Sequence, residues 1–338
     1  MEQTIDLKTA PSSLNRITVI DAMRGIVLIG ICMVHAMQHF GGLSASGVEP
    51  PFAWIGTMDE VTNWIIRHFV FGKFFIIFSF LFGLSFFIQM DRAAQKGIDF
   101  RGRFLWRLIL LFIIGFIHSA ICRLDILIIY AILGLPLVLI YRFPNKLLMG
   151  IAIFFILGLL AGRIRLFHNL DRYQMTLYRV AGIVLVGLLI LYTLQPYLPR
   201  EGAFWTWANM QVGNVINLLS AYLWVVGIIW LYQKQVVQKA LTRIVSYGQM
   251  GLTNYILQSV IGVFIFYGFG LALQTQINTF ISVLVCLAYT ILQIQFSYYW
   301  LRKFRYGPIE WAWRSATYLK IQPLKRCFVI PGERRFDT

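Results

Sequence analysis

Charge is what this sequence has least of. Only 13% of its 338 residues are Asp, Glu, Lys or Arg, and 59% are hydrophobic. A soluble domain carries about a quarter charged residues, so the composition, with a mean hydropathy of +0.70, excludes an ordinary soluble fold. Acidic residues are scarcest, 14 against 30 Lys and Arg, which gives a formal charge of +16. That excess does not describe a nucleic-acid binder. The basic residues fall in short runs beside apolar segments, where they set topology and meet anionic headgroups. Cysteine is sparse as well. Cys32, Cys122, Cys286 and Cys327 are widely separated, with no CxxC or His/Cys metal spacing, and read as small apolar fillers. HExxH, a P-loop, a Ser-His-Asp order and a glycosidase carboxylate pair are all missing. No metal site is expected. No cleaved signal peptide is expected either, because the first apolar run is too polar and follows a Lys- and Asp-bearing leader.

What the chain does have is apolar runs of about 20 residues, the length that crosses a bilayer core. Nine segments qualify: 17–40, 64–90, 104–121, 124–140, 146–161, 179–195, 215–232, 252–274 and 278–300. The expected fold is an all-α polytopic transmembrane bundle of eight to ten spans. Residues 1–16 would be a cytoplasmic leader, 17–300 the bundle and 301–338 an interfacial tail. DRAAQKGIDFRGR (91–103) is basic and should be cytoplasmic, whereas 41–62 has acids but no Lys or Arg and should be outside. Both termini then lie inside, which needs an even number of crossings. The basic stretch 162–179 also belongs inside. Both requirements are met if 146–161 is re-entrant or a short buried helix.

The first span, RITVIDAMRGIVLIGICMVHAMQHF (16–40), carries Asp21, Arg24 and His35. Offsets of 0, 3 and 14 residues place them on one helical stripe about 60° wide, with His35 about 21 Å beyond Asp21 along the axis. The third span, RGRFLWRLILLFIIGFIHSA, repeats the pattern with Arg103, Arg107 and His118 at offsets 0, 4 and 15. His118 is about 16 Å further out than Arg107. Asp125, after a tight hairpin, could orient His118. Guanidinium suits phosphate and imidazole suits proton transfer. Plain readings stand beside these: topological anchors, a structural ion pair, and buried hydrogen-bonding histidines. Asn254 and Gln258 in TNYILQS share a helix face with Tyr255 close by, as cavity lining or as helix glue. Lys73 in FGKFF snorkels or lines a cavity, and Glu310 and Arg314 of GPIEWAWR form a one-turn pair closing the inner side.

RxxxxDAMRGIVLIGICMVH, FGKFFIIFSFLFGLSFF, HSAICRLDILIIYAILG, the 245–273 segment and FRYGPIEWAWRSATY together resemble the YeiB-like family of bacterial membrane proteins. More remotely, the Asp-x-x-Arg-Gly stretch resembles acyltransferase-3 and heparan glucosaminide acetyltransferase proteins. YeiB-like proteins carry Asn at the position of His35, where acyltransferase-3 proteins carry a functionally important His. The chain is shorter than the family between YRFPNK and ILGLLAGR. The resemblance implies acyl transfer from acetyl-CoA or another acyl-CoA, in the bacterial cytoplasmic membrane, to a hydroxyl or amine of a glycan, lipid or small metabolite. His35, His118 and Asp125 would be catalytic, and Asp21, Arg24, Lys73, Arg103 and Arg107 would hold the donor. Asn254, Tyr255 and Gln258 would line the cavity. The rival expectation is an exporter of a small organic anion. A homodimer is left open, and the lipid bilayer is the one certain partner.

Overall fold

The computed structural model describes residues 13–41, 53–120, 126–140 and 154–326. Among them, helix is the only regular structure apart from one antiparallel bridge, Phe304 with Lys325. Apolar runs must satisfy their backbone internally in lipid, which leaves helix as the available form. The helices in order are α1 (Ser13–His35), α2 (Ala53–Ile65), α3 (Lys73–Ala94), α4 (Arg101–Ser119), α5 (Ile126–Ile140) and α6 (Phe154–Arg163). Then follow α7 (Leu170–Leu194), α8 (Ala203–Tyr232), α9 (Gln235–Ala240), α10 (Thr242–Gln249), α11 (Gly251–Phe266), α12 (Thr279–Lys303) and α13 (Pro308–Tyr318). π-helical turns extend α1 over Ala36–Phe40 and α2 over Ile66–Val70.

The chain is an integral membrane protein with an all-α polytopic bundle. Among the described residues, six helical stretches are long and apolar enough to cross a membrane, and a seventh if α10 and α11 count as one broken span. Of the nine expected segments, 124–140 and 146–161 fall partly outside the described residues. α5 carries Pro136 inside it. The ten described residues of α6 reach about 15 Å. The expected straight span over 252–274 is instead bent by 85° between α10 and α11.

Close backbone approach explains two of these features. A Cβ on Gly248 would overlap the Asp21 carbonyl, and one on Gly25 would overlap that of Ile244. α10 therefore lies directly on the early turns of α1. Gly158 and Gly162, spaced as GxxxG in GLLAG, do the same for α6 against Phe80, Leu84 and Phe87 of α3. This order makes α6 run parallel to α3, so both finish at one end of the bundle. There Arg165 pairs with Asp91 at 3.6 Å. Residues 162 onward thus start at the same end as 91–103, while residues 146–153 of the segment expected to be re-entrant lie outside the described residues. The stretch 162–179 is not all loop, because α7 begins at Leu170. Within the tail, Pro308–Tyr318 form α13. α13 docks on α4, with Trp106 Nε1 donating to the Ala316 carbonyl at 3.0 Å and Trp313 Nε1 to that of Arg107 at 3.3 Å.

Candidate functional site

A cavity of about 560 Å³ runs inward from the end where α3, α6 and α13 meet, between α1, α3, α4, α5 and α11. Two charged groups of its mouth, Asp21 and Arg24, are set by helix spacing. Arg24 donates to Asp21 Oδ1 at 2.7 Å, three residues back on α1, and to Ser85 Oγ of α3 at 2.5 Å. Gln249, brought to α1 by the glycine contact, donates to Asp21 Oδ2 at 3.3 Å. Asp21 is thus satisfied from two helices.

Arg107 is different. It is 7% exposed, its guanidinium rests 4.1 Å from the centroid of the Trp313 ring, and no carboxylate pairs with it among the described residues. Its charged neighbour is another cation, Arg314, which donates to the Tyr306 hydroxyl at 3.0 Å. The nearby acid, Glu310, is committed elsewhere. Leu252 N at 2.7 Å, Thr253 N at 3.0 Å and the Thr253 hydroxyl all donate to it, so it caps the otherwise orphaned first turn of α11. The expected Glu310–Arg314 pair is therefore replaced by two separate contacts. Burial pushes the Glu310 carboxyl above its usual range, against the pull of the bonds from Thr253 and Leu252.

Beyond this mouth the wall turns apolar, with Phe78, Leu81, Phe82, Leu108, Leu111 and Leu127. Tyr255 of α11 also lines the cavity. The Tyr255 ring lies 6.2 Å from that of His35 and 5.3 Å from that of His118, centroid to centroid. Both histidines are buried, at 6% and 2% exposure. They sit behind Tyr255 rather than on the cavity wall.

The two stripes predicted on α1 and α4 therefore converge. Asp21, Arg24, Arg107 and Tyr255 share one cavity, and His35 and His118 share one neighbour, Tyr255. Four other expectations part from this arrangement. Arg103 is exposed, its guanidinium 5.9 Å from the Tyr318 ring, because the first turn of α4 lies outside the cavity wall. Lys73 starts α3, about 18 Å along the axis from Ser85, and donates to the Arg67 carbonyl at 3.0 Å. Asn254 is helix glue, donating to the Tyr247 carbonyl and to Ser297 Oγ, both at 2.9 Å. Gln258 faces the same interior, 3.4 Å from the Tyr247 hydroxyl. Asp125, Cys122 and Cys327 lie outside the described residues. Cys32 and Cys286 are buried and share the Tyr289 hydroxyl.

Sequence reasoning missed Ser85, Gln249 and the like-charged pair Arg107–Arg314, while exposed His168 lies at the mouth. Gln249 had a signal: GQMG brackets the bend with two glycines. No group of three or more His, Cys, Asp or Glu able to hold a metal occurs among the described residues.

Fold and cavity together define a helical integral membrane protein with one basic-mouthed, apolar-floored intramembrane site. A family model described as a protein of unknown function (DUF418) matches residues 161–320. An uncharacterized 39.9 kDa protein in the amylase 3' region of Bacillus acidopullulyticus is 30% identical, over 91% of this chain and 96% of the relative. Uncharacterized protein YxaH of Bacillus subtilis (strain 168) is 28% identical over 92% and 96%. Uncharacterized protein YeiB of Escherichia coli (strain K12) is 24% identical over 90% and 97%. This chain belongs to the YeiB-like family. No solved structure matches it.

Proposed function

We propose that the protein is a membrane acyltransferase that takes an acyl group from an acyl-CoA at its arginine end and passes it to a hydroxyl or amine. One observation carries this reading: a buried guanidinium with no carboxylate partner among the described residues, Arg107, opens onto a cavity also lined by Tyr255, whose ring neighbours those of both His35 and His118. A buried cation without an anion is costly, and a phosphate would relieve it by bidentate pairing. The arginine end would face the cytoplasm of a bacterial cell, where coenzyme A thioesters are made.

In the reaction an imidazole, of His35 or of His118, accepts the proton of the acceptor O–H or N–H. The acceptor atom attacks the thioester carbonyl and the carbon–sulfur bond breaks. The coenzyme A thiolate leaves and is protonated by the imidazolium, which restores the histidine. Tyr255 stands between the donor cavity and both rings, so its rotation or its hydroxyl is the connection that the reading requires.

The test uses purified protein in lipid nanodiscs. Coenzyme A should bind, Arg107→Ala should weaken it about 10- to 100-fold, and exposed Arg103→Ala should leave it unchanged. Acyl-CoA should release free thiol, and His35→Ala with His118→Ala should stop release without loss of coenzyme A binding. A second reading has its own support. The 85° break between α10 and α11 falls on the cavity wall, and discontinuous helices mark substrate sites in carriers. Coenzyme A binding absent, with proteoliposomes accumulating an organic anion, would replace the enzyme by a carrier.

A further inference from the structure

We infer that the cavity is built for an anionic amphiphile with a straight aliphatic chain, which under the acyl-transfer reading means a medium-chain acyl-CoA and not acetyl-CoA. The inference rests on that reading only for the identity of the head group. An acetyl group would need a polar pocket at Arg24 and Arg107 and little more. The space instead continues past them between α1, α3, α4 and α5, walled by Leu81, Phe82, Leu108, Leu111 and Leu127 as far as Phe78. Phe78 itself is held in place by stacking on Tyr130, ring centroids 5.5 Å apart. From Ser85, which fixes Arg24, to Phe78 is seven residues of α3, about 10 Å along the axis. An all-trans chain advances about 1.2 Å per backbone bond, as an extended polypeptide does, so the slot matches a chain of about eight carbons.

The charges fix which end of the ligand lies where. Every cation on the wall (Arg24, Arg92, Arg107, Arg165 and Arg314) is at the mouth, and the interior beyond Ser85 has none. Asp21 is already answered by Arg24 and Gln249, and Glu310 by the start of α11. Asp91 is answered by Arg165, so among the described residues the positive charge of Arg107 beside Arg314 remains for the ligand's phosphates. A fatty acid of equal chain length lacks those phosphates and would use only the floor. A phospholipid of the bilayer also joins phosphate to acyl chains, and is the competing occupant that the test separates.

The experiment is a binding series with the full-length protein in phosphatidylcholine nanodiscs, using acetyl-, butanoyl-, hexanoyl- and octanoyl-CoA, then octanoate, then octanoyl-CoA against nanodiscs containing phosphatidic acid. Affinity should climb by about fourfold for each methylene buried, so octanoyl-CoA binds at least a hundredfold tighter than acetyl-CoA. Octanoate should bind weakly, and phosphatidic acid should not displace octanoyl-CoA. Leu111→Ala should move the optimum to a longer chain, and Leu111→Trp should erase the gain while acetyl-CoA binding persists. The wild-type series decides even if both variants misfold. A flat series, octanoate binding as tightly as octanoyl-CoA, or displacement by phosphatidic acid each overturns the inference. Thiol release from acetyl-CoA with a flat series would sink this inference and spare acyl transfer. A steep series with no thiol release for any acceptor would do the reverse.

Discussion

α1 and α7 are both apolar helices of membrane length, yet 78% of the apolar window of the first is buried and 6% of that of the second. Their charges differ accordingly. α7 confines Asp171, Arg172 and Arg179 to its first turns and then runs from Val180 to Leu194 with no ionisable side chain except Tyr192. α1 holds Asp21, Arg24 and His35 along its length. An ion in hydrocarbon is costly, so a span keeps one only where protein surrounds it and supplies partners. α1 has Ser85 and Gln249 for its ion pair and Tyr255 beside its histidine. α7 packs chiefly on α8 and turns Ile183, Val186 and Leu189 outward. The site lives on the enclosed helix because an enclosed helix is the one that can carry it.

Glycine substitution tests that contrast most severely. Gly248→Leu puts a side chain into the Asp21 carbonyl, whereas Gly187→Leu on α7 meets nothing within 4 Å. Overpacking usually costs 1–3 kcal/mol when side chains can yield, but here the obstacle is backbone. Gly248→Leu should therefore give no monodisperse folded protein by fluorescence-detected gel filtration. Gly187→Leu should unfold within a degree or two of wild type. Equal behaviour of the two would mean that α10 does not rest on α1.

The ion pair comes next. Asp21→Ala strands Arg24 against the cavity and removes the Gln249 contact. Breaking a fully buried pair costs about 3–5 kcal/mol. Arg24 keeps 29% of its side chain exposed, so about 2–3 kcal/mol is expected in denaturant unfolding. Arg179→Ala on α7 should change nothing measurable, and a comparable loss there would dissolve the distinction between the two helices.

These residues also show how far sequence reached. Helical period alone put Asp21 and Arg24 on one stripe and Arg107 and His118 on another, and period is a property that tertiary packing does not alter. Which stripes meet is not written in a period. Arg103 shares the Arg107 stripe but lies one turn earlier, where Tyr318 meets it. Asn254 and Tyr255 differ by 100° of rotation, enough to send one into the α10–α12 contact and the other onto the cavity. Lys73 looked intramembrane because its run is apolar, while the break at Phe71 and Gly72 makes it a helix start. The bend at Met250 depends on the Gly25–Gly248 contact between residues more than 200 positions apart, which no local pattern encodes.

The mildest test concerns the carboxylate that joins the enclosed bundle to α13. Glu310 caps α11, and burial raises its proton affinity relative to the unfolded chain. A group whose folded pKa is raised adds most to stability when protonated in both states, and that contribution fades as pH rises through the folded value. Glu310→Gln keeps an acceptor for Leu252 and Thr253 but cannot ionise. The unfolding temperature of wild type relative to Glu310→Gln should therefore be highest in acid and fall as pH climbs past the usual carboxylate range, levelling once Glu310 is ionised. A difference growing with pH would mean that the capped carboxylate is held by the three donors more strongly than burial opposes it. α13 would then be locked over the cavity mouth by a charge, rather than by Trp313 on Arg107 and Trp106 on Ala316.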